Sequence, residues 1–475
     1  MPRLPVLLAP ILLAVGIVVG QLPFAVGSFL VALRPMLVAV AAAVVCTGIA
    51  VLVLRDRPLA SLAATAAVAA LGGLGVVVAV VLAAAIPLAY WWRVRRHRSV
   101  PIDRLARVVS GATAVFVLIG LAAFAATGPL WPGAAVTGAP HTATRPGRPI
   151  YVIVLDAYAR HDTLAEEFGH DNGPFLAELE RRGFDVYRDA HSNYSSTSLT
   201  LASMLNARPI QGLDIDGFTA SAQYRALNGA MNRGRAWEAL RDGGYRLAVI
   251  PSMWSGSRIW QAEQLVDMDG LTDFERHLLQ STALGGMLEL VAPDWIAGQH
   301  RAHTLRQLSA LRQAVDDRTF VLAHLMLPHS PFLFDADGSA RPMPGCFPSC
   351  PFWTPWRGGF PDEQASAYVA QLEYTNAQML ALADSLPPEA VVVLMADHGS
   401  RYTSDARERV RVFLAARTPG HPRLFGDAPT PLRWFPRLLN TYAGTDLPEH
   451  DVGHWISGEQ PLTLSEIDPT GEPAP

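Results

Sequence analysis

Apolar residues are unevenly spread along this chain. Four long runs crowd its N-terminal part: Leu4 to Leu22, Met36 to Leu54, Leu59 to Trp92 and Val108 to about Leu130. Each reaches the roughly 20 residues that cross a hydrocarbon core. The third is longer and is interrupted by Gly72-Gly73-Leu74-Gly75, so it is either one long helix or two short, tightly joined spans. From Pro149 onward the rhythm changes. Short, continuous apolar runs at Tyr151–Leu155, Arg246–Ile250, Thr319–Met326, Val391–Ala396 and Val410–Ala415 predict strands, most of them buried on both faces. Helical patterns fall between them, over Gly173–Arg182, Ser196–Asn206 and Asp362–Ser385. Strands alternating with helices predict an α/β domain with a mostly parallel sheet covered by helices on both faces.

Four segments follow from this pattern. Residues 1–131 form a transmembrane region of about five helices, with four as the alternative. Residues 132–148, rich in small residues, Pro and Gly, form a linker. Residues 149–462 form the folded domain, and 463–475 a disordered tail. Arginine placement orients the spans. Arg55 and Arg57 follow the second run, and Arg93, Arg95, Arg96, Arg98, Arg104 and Arg107 follow the third. With both groups in the cytoplasm, five crossings result and the large domain is extracytoplasmic; four would put Arg55 and Arg57 outside. The first run follows Arg3 and could pass for a signal peptide, but further spans follow at once, so it is read as retained.

Composition narrows the chemistry. The chain has 475 residues, half of them hydrophobic, and a formal net charge of −4. It contains no lysine: all 38 basic residues are Arg. That removes P-loop, Schiff-base and Ser–Lys chemistry. No basic patch with interleaved aromatics is present, which argues against nucleic acid. The Arg and Ala bias suggests a GC-rich bacterial genome. Of three cysteines, Cys46 lies within a span, while Cys346 and Cys350 form CFPSC in the exported part, where an oxidising compartment permits a disulfide.

Two buried strands end in acids. IYVIVL runs into Asp156, and VVVLMA runs into Asp397 and His398. Asp, His and Gly are ordinary turn residues. The carboxyl ends of parallel strands are also where such sheets place ligands, and Asp and His both bind zinc or manganese. A hydroxyl-rich run, SNYSSTSLTLASMLN, leads into a helix. Its Ser and Thr residues suit N-caps. A hydroxyl at a helix N-terminus beside a cation also makes a nucleophile. His324 reads as a core residue of its strand and His329 lies just past the strand end. Arg401, after the Asp–His–Gly turn, could clamp an anion. His450 and His454 read as surface-loop residues.

The segments IVLDAY, SSTSLTLASML and LMADHG resemble, in order, three blocks of the alkaline phosphatase/sulfatase superfamily. The branch they are most similar to is the membrane-anchored one, with lipoteichoic acid synthases and phosphoethanolamine transferases. The resemblance runs from about Arg148 to Gly399. It implies a metal-dependent hydrolase or transferase of phosphate esters in the cell envelope. Asp156, Asp397 and His398, with the nucleophile oxygen, would hold one divalent ion: zinc or manganese first, magnesium or calcium as alternatives. The nucleophile would be Thr197, with Ser195 and Ser196 as alternatives in register, and a phospho-threonine the intermediate. His329, Asn193 and Arg401 would face the substrate. A membrane lipid or envelope glycan would be the partner, at a bacterial inner membrane. Formylglycine sulfatases have Cys or Ser followed by x-P-S-R, a pattern Thr197 and its neighbours lack. A sulfatase-type ester hydrolase and a non-catalytic envelope assembly protein are the other readings.

Overall fold

The computed structural model describes residues 6–22, 29–72, 102–125, 147–215, 217, 219–266, 270–292, 294–313, 315–341 and 362–470. The Cys346–Cys350 pair, most of the linker and the arginines from Arg93 to Arg98 lie outside the described residues. Contacts divide the chain into two compact units.

The first unit holds apolar helices α1 (Ala9–Gln21), α2 (Leu33–Leu54), α3 (Arg57–Leu71) and α4 (Ile102–Ala125). Among the described residues, two stretches are long and apolar enough to cross a membrane, Leu33–Leu54 and Arg104–Ala125; α1 and α3 are shorter. Side chains point outward from α2 at Leu37, Val38, Val45 and Leu52. The hydroxyls within these helices bond to their own backbone, Thr47 to the carbonyl of Ala43 and Thr65 to that of Ser61, as groups shielded from water must. Small residues let the helices approach. The Phe116 ring lies over Gly16, where a methyl group would collide with it, and Gly120 lies against Val19. These pairs advance together along both helices, so α1 and α4 run parallel. Leu13 and Ala14 share a cluster with Val68 and Ala69, and Ile17 meets Gly72, so α3 runs parallel to them as well. Helix α2 runs the other way, because its start packs by Val18, Val19 and Leu22. Two helices from far along the chain, introduced below as α10 and α11, also belong to this unit.

The second unit is the α/β domain. Its seven strands are β1 (Ile150–Leu155), β2 (Asp185–Val186), β3 (Arg246–Ile250), β4 (Glu263–Gln264), β5 (Thr319–Leu325), β6 (Val391–Met395) and β7 (Leu414–Arg417), in the order β2-β7-β6-β1-β5-β3-β4. Central β1 is fully buried and pairs in parallel with both β5 and β6. The sheet is mostly parallel, as the sequence pattern predicts; β7 and β2 on one edge are antiparallel. The helices of this unit are α5 (His161–Phe168), α6 (Gly173–Arg181), α7 (Thr197–Asn206), α8 (Ala220–Asn232) and α9 (Arg235–Asp242). Beyond them come α12 (Trp295–Leu311), α13 (Asp362–Ser385) and α14 (Pro431–Ala443); α10 (Asp273–Gln280) and α11 (Ala283–Val291) lie between α9 and α12 in sequence. Trp237 of α9 and Phe435 of α14 each meet Phe320 of β5 edge to face.

Two sequence expectations need correction. Val410 to Phe413 is not strand, and β7 begins only at Leu414. Its backbone groups turn elsewhere: the Val410 carbonyl accepts from Ser192, Val412 donates to Ala190 and Phe413 donates to Tyr158. The expected disordered tail from 463 also holds a strand. Leu464–Ile467 forms β9 and pairs antiparallel with β8 (His454–Ser457). A Pro-rich, acidic composition hid a hairpin that is stabilised by pairing, not by a core of its own.

The turn after β1 sets the geometry of everything at that edge. Ala157 adopts φ 57°, a left-handed conformation that a Cβ disfavours. The hydroxyl of buried Tyr368 holds it there, donating to the Ala157 carbonyl at 3.0 Å and accepting from the Ala159 N–H at 3.1 Å. Tyr368→Phe would leave both backbone groups buried without their partner. The expected loss is about 1–3 kcal/mol, read as a lower denaturation midpoint of the purified protein.

Candidate metal centre

Asp156 and Asp397 follow adjacent parallel strands, β1 and β6, so the fold delivers both carboxylates to one edge. Both are buried. Backbone contacts fix them. Asp156 donates its N–H to Leu325 and accepts from His329 on its carbonyl. The Asp397 carbonyl accepts from Ser192 Oγ at 2.7 Å and Thr200 Oγ1 at 2.9 Å, and its Oδ1 accepts from the Ala157 N–H at 3.2 Å. Asp156 Oδ1 and Asp397 Oδ2 are left buried with no hydrogen-bond partner. Buried carboxylate oxygens are costly unless a cation or donor meets them.

His398 completes the arrangement. Its Nε2 lies 3.4 Å from Asp156 Oδ1 and 3.7 Å from Asp397 Oδ2. Its Nδ1 donates to the Gly399 carbonyl at 2.8 Å. That bond fixes the tautomer with the lone pair on Nε2, facing the two orphaned oxygens, which is the second-sphere arrangement of metal-binding histidines. Burial first, and the Arg401 charge second, push the His398 imidazole down to about 3. It is therefore neutral and able to ligate. Asp397 is pushed up to about 6, by burial and then by its neighbour Asp156. Burial would raise Asp156 too, but His329, the hydrogen bond from His324 and His398 outweigh it and hold that carboxyl low.

The hydroxyl run sorts itself by partner. Ser195 Oγ accepts from the Ser457 N–H at 3.0 Å, on the β8 side. Ser196 has the extended backbone of an N-cap, yet its hydroxyl makes no capping bond and is buried without a partner. Thr197 is the buried first residue of α7, and its hydroxyl is near enough to the Asp397 carboxyl to help hold that group down. Asn193, expected on the substrate side, is fully buried. Its amide oxygen accepts from the Leu432 N–H at 3.1 Å and its amide nitrogen donates to the Val452 carbonyl at 3.4 Å. That side chain braces the loop. Arg401 donates to the Ser195 carbonyl at 3.0 Å, which puts its charge beside the hydroxyl run. The His329 ring lies 6.4 Å from the His398 ring, centroid to centroid, and its Nδ1 donates to the Ser330 carbonyl at 2.6 Å. His454 lies in β8, and its Nδ1 donates to the Ser192 carbonyl at 2.8 Å.

His324 carries a role its sequence position did not announce. It is buried within β5, as expected of a core histidine. Its Nε2, however, lies 3.2 Å from Asp156 Oδ2, and its Nδ1 lies 2.8 Å from Ser257 Oγ. An ionised carboxylate only accepts, so Nε2 carries the proton and Nδ1 accepts from the serine. Ligand atoms of Asp156, His324 and Asp397 fall within 4.8 Å of one another. The available signal was register: β5 neighbours β1, and Val154 pairs with His324 two residues before Asp156.

The donor set fits a divalent cation: two carboxylates, a neutral imidazole with its lone pair turned inward, and a hydroxyl. Asp156, Asp397, His398 and Thr197 would hold it, with oxygen and nitrogen donors of the kind zinc and manganese accept.

No protein-family model and no curated protein matches the chain. Solved structures are similar to it. One is the C-terminal periplasmic domain of EptC from Escherichia coli in complex with zinc, at 12% identity and TM-score 0.43, covering 68% of this chain and 94% of that one. A second is the integral membrane lipooligosaccharide phosphoethanolamine transferase A from Neisseria meningitidis, at 11% identity and TM-score 0.39, covering 78% and 72%. A third is the phosphonate monoester hydrolase of Agrobacterium radiobacter, at 14% identity and TM-score 0.39, covering 64% and 74%. These are of the superfamily that the three sequence blocks resemble.

Removing a ligand should remove the metal. Asp156→Asn and Asp397→Asn are each expected to abolish stoichiometric zinc or manganese binding in equilibrium dialysis. His324→Phe keeps all four donors but frees the Asp156 carboxylate to rotate. It is expected to weaken metal affinity about 10–100-fold, without abolishing it.

Proposed function

We propose that this protein is a membrane-anchored, metal-dependent hydrolase or transferase of phosphate esters that works through a phospho-threonine at Thr197. One observation carries the reading. A hydroxyl at the N-terminus of a buried helix lies beside one of two adjacent buried carboxylates, each with an oxygen that lacks a hydrogen-bond partner. A structural threonine needs no such company.

When bound, a divalent cation supplies positive charge that favours the alkoxide of Thr197, its proton passing to solvent, and that offsets charge on the phosphoryl oxygens. The protein's own residues do the rest. Asp156, Asp397 and His398 orient the ligand set, and the turn held by Tyr368 keeps Asp156 from swinging. The free N–H groups at the start of α7 point their partial positive charge at the phosphoryl group. Arg401 adds a full charge on the same side. Thr197 Oγ1 bonds to phosphorus as the ester oxygen leaves with its electron pair; the imidazolium of His329 gives that oxygen a proton, and takes one back from the alcohol or water that attacks next. An alcohol or water then attacks phosphorus and returns the oxygen of Thr197.

Membrane anchoring suggests a substrate at the bilayer surface: a phospholipid headgroup or a lipid-linked envelope glycan. The parallel run of α3 and α4 supports five crossings over four. That count places the catalytic domain outside the cytoplasm, with Arg55, Arg57, Arg104 and Arg107 inside.

The nucleophile variants separate an enzyme from a scaffold. Thr197→Ala is expected to fold, at a cost of about 1–2 kcal/mol for the lost hydrogen bond. Phosphodiester turnover and the phospho-threonine seen by mass spectrometry should both vanish, while Thr197→Ser keeps part of each. Full activity in Thr197→Ala would refute this assignment.

A further inference from the structure

The chain leaves the α/β domain at Leu271, forms α10 and α11 within the helical unit, and leaves that unit after Asp294. A Thr272–Glu275 capping box starts α10. Phe274 is buried with Val18, Val19, Leu22, Val31, Ala32 and Phe124. Glu275 pairs with Arg34, and His277 with Gln21. Every one of these partners lies at a single end of the bundle. Gln21 and Leu22 close α1, Val31 to Arg34 open α2, and Phe124 closes α4. Arg55, Arg57, Arg104 and Arg107 are at the opposite end. So α10 is anchored, through Arg34, at the end away from those four arginines.

Helix α11 follows with an apolar face that none of the described residues covers. Met287 is 57% exposed, Leu290 85% and Val291 81%. Their spacing, i, i+3 and i+4, puts them on one side of the helix. The sequence of α11, ALGGMLELV, has one ionisable residue, Glu289. A water-facing helix would show the reverse. The same chemistry continues on α2, where Leu37, Val45 and Leu52 are also more than half exposed. On spanning helices such a surface belongs to lipid.

We propose that α11 is an interfacial helix, lying in the plane of the extracytoplasmic membrane surface with Met287, Leu290 and Val291 in the headgroup–acyl boundary. This rests on the reading that α2 and α4 cross the membrane. It gives the catalytic chain a second, non-spanning hold on lipid, at a point far in sequence from the linker. The occupant is the bilayer itself: α10 is ion-paired onto the ends of the spanning helices, which brings α11 to that depth.

The test uses full-length protein in nanodiscs of phosphatidylethanolamine and phosphatidylglycerol. Cys46→Ala, Cys346→Ser and Cys350→Ser supply the background. Leu290→Cys and Val291→Cys, made separately, carry a nitrobenzoxadiazole label, with Val45→Cys as the spanning control and exposed Asp427→Cys as the aqueous control. Leu290→Cys and Val291→Cys are expected to be quenched by spin-labelled lipid and about tenfold less by iodide than Asp427→Cys. Thermal midpoints equal to the background confirm folding, and either label alone suffices. Iodide quenching equal to Asp427→Cys, with Val45→Cys still lipid-quenched, overturns the interfacial helix and leaves the spans intact. Failure of lipid to quench Val45→Cys overturns the spans and this proposal together. Rapid oxidative cross-linking of unlabelled Leu290→Cys into dimers would show a second copy on this face, and would also overturn the proposal.

Discussion

Two buried carboxylates that face the same space repel each other, and this repulsion organises the catalytic edge. Burial, and then the charge of Asp156, push Asp397 up, while histidines hold Asp156 low against the same burial. Much of the surrounding structure keeps them from escaping. Tyr368 fixes the turn behind Asp156, His324 holds its second oxygen, and Ser192 and Thr200 hold the Asp397 backbone. A folded protein that confines like charges this firmly stores binding energy for a metal.

The sheet explains why this confinement is rigid. β1 and β6 are buried on all sides and run in register, Ile150 beside Val391 and Val154 beside Met395. Neither carboxylate can shift without moving a strand in the centre of the core. Thr197 is less directly tied. Its loop depends on lateral contacts, with Asn193 reaching Leu432 and Ser195 reaching Ser457.

Much of this was legible in the residues. Continuous β-branched runs ending in Asp156 and Asp397 predicted parallel strands sharing an edge, and the two strands are neighbours. The parallel sheet and the 24-residue helix Asp362–Ser385 follow from period and composition. What was not legible depended on pairing between distant segments. His324 looked like core because its strand is core; only its register with β1 aims the ring at Asp156. Asn193 looked like a substrate group because amides often are, and nothing local showed that Leu432 and Val452 would occupy it. The β9 strand lies in a composition that normally stays disordered and exists through its pairing with β8. Residues 271–294 fall within the expected 149–462 segment yet group with the helical unit, because membership in a packing unit is not a local property.

The β8–β9 hairpin bears on the order in which the protein comes into being. Trp455 donates to Asn193 and accepts from Ser195, and His454 reaches Ser192, so the loop that presents Thr197 takes several of its backbone partners from residues near the end of the chain. Synthesis runs the other way. When Asp156 and the hydroxyl run emerge, the strand that will fasten that loop has not been made. The two carboxylates and Thr197 can be aligned only after the chain through Ile467 has left the ribosome, and on the topology proposed here, after it has been threaded through the membrane. A chain stalled partway, or cut short before Trp455, would carry every catalytic residue named above and lack the brace that aligns them.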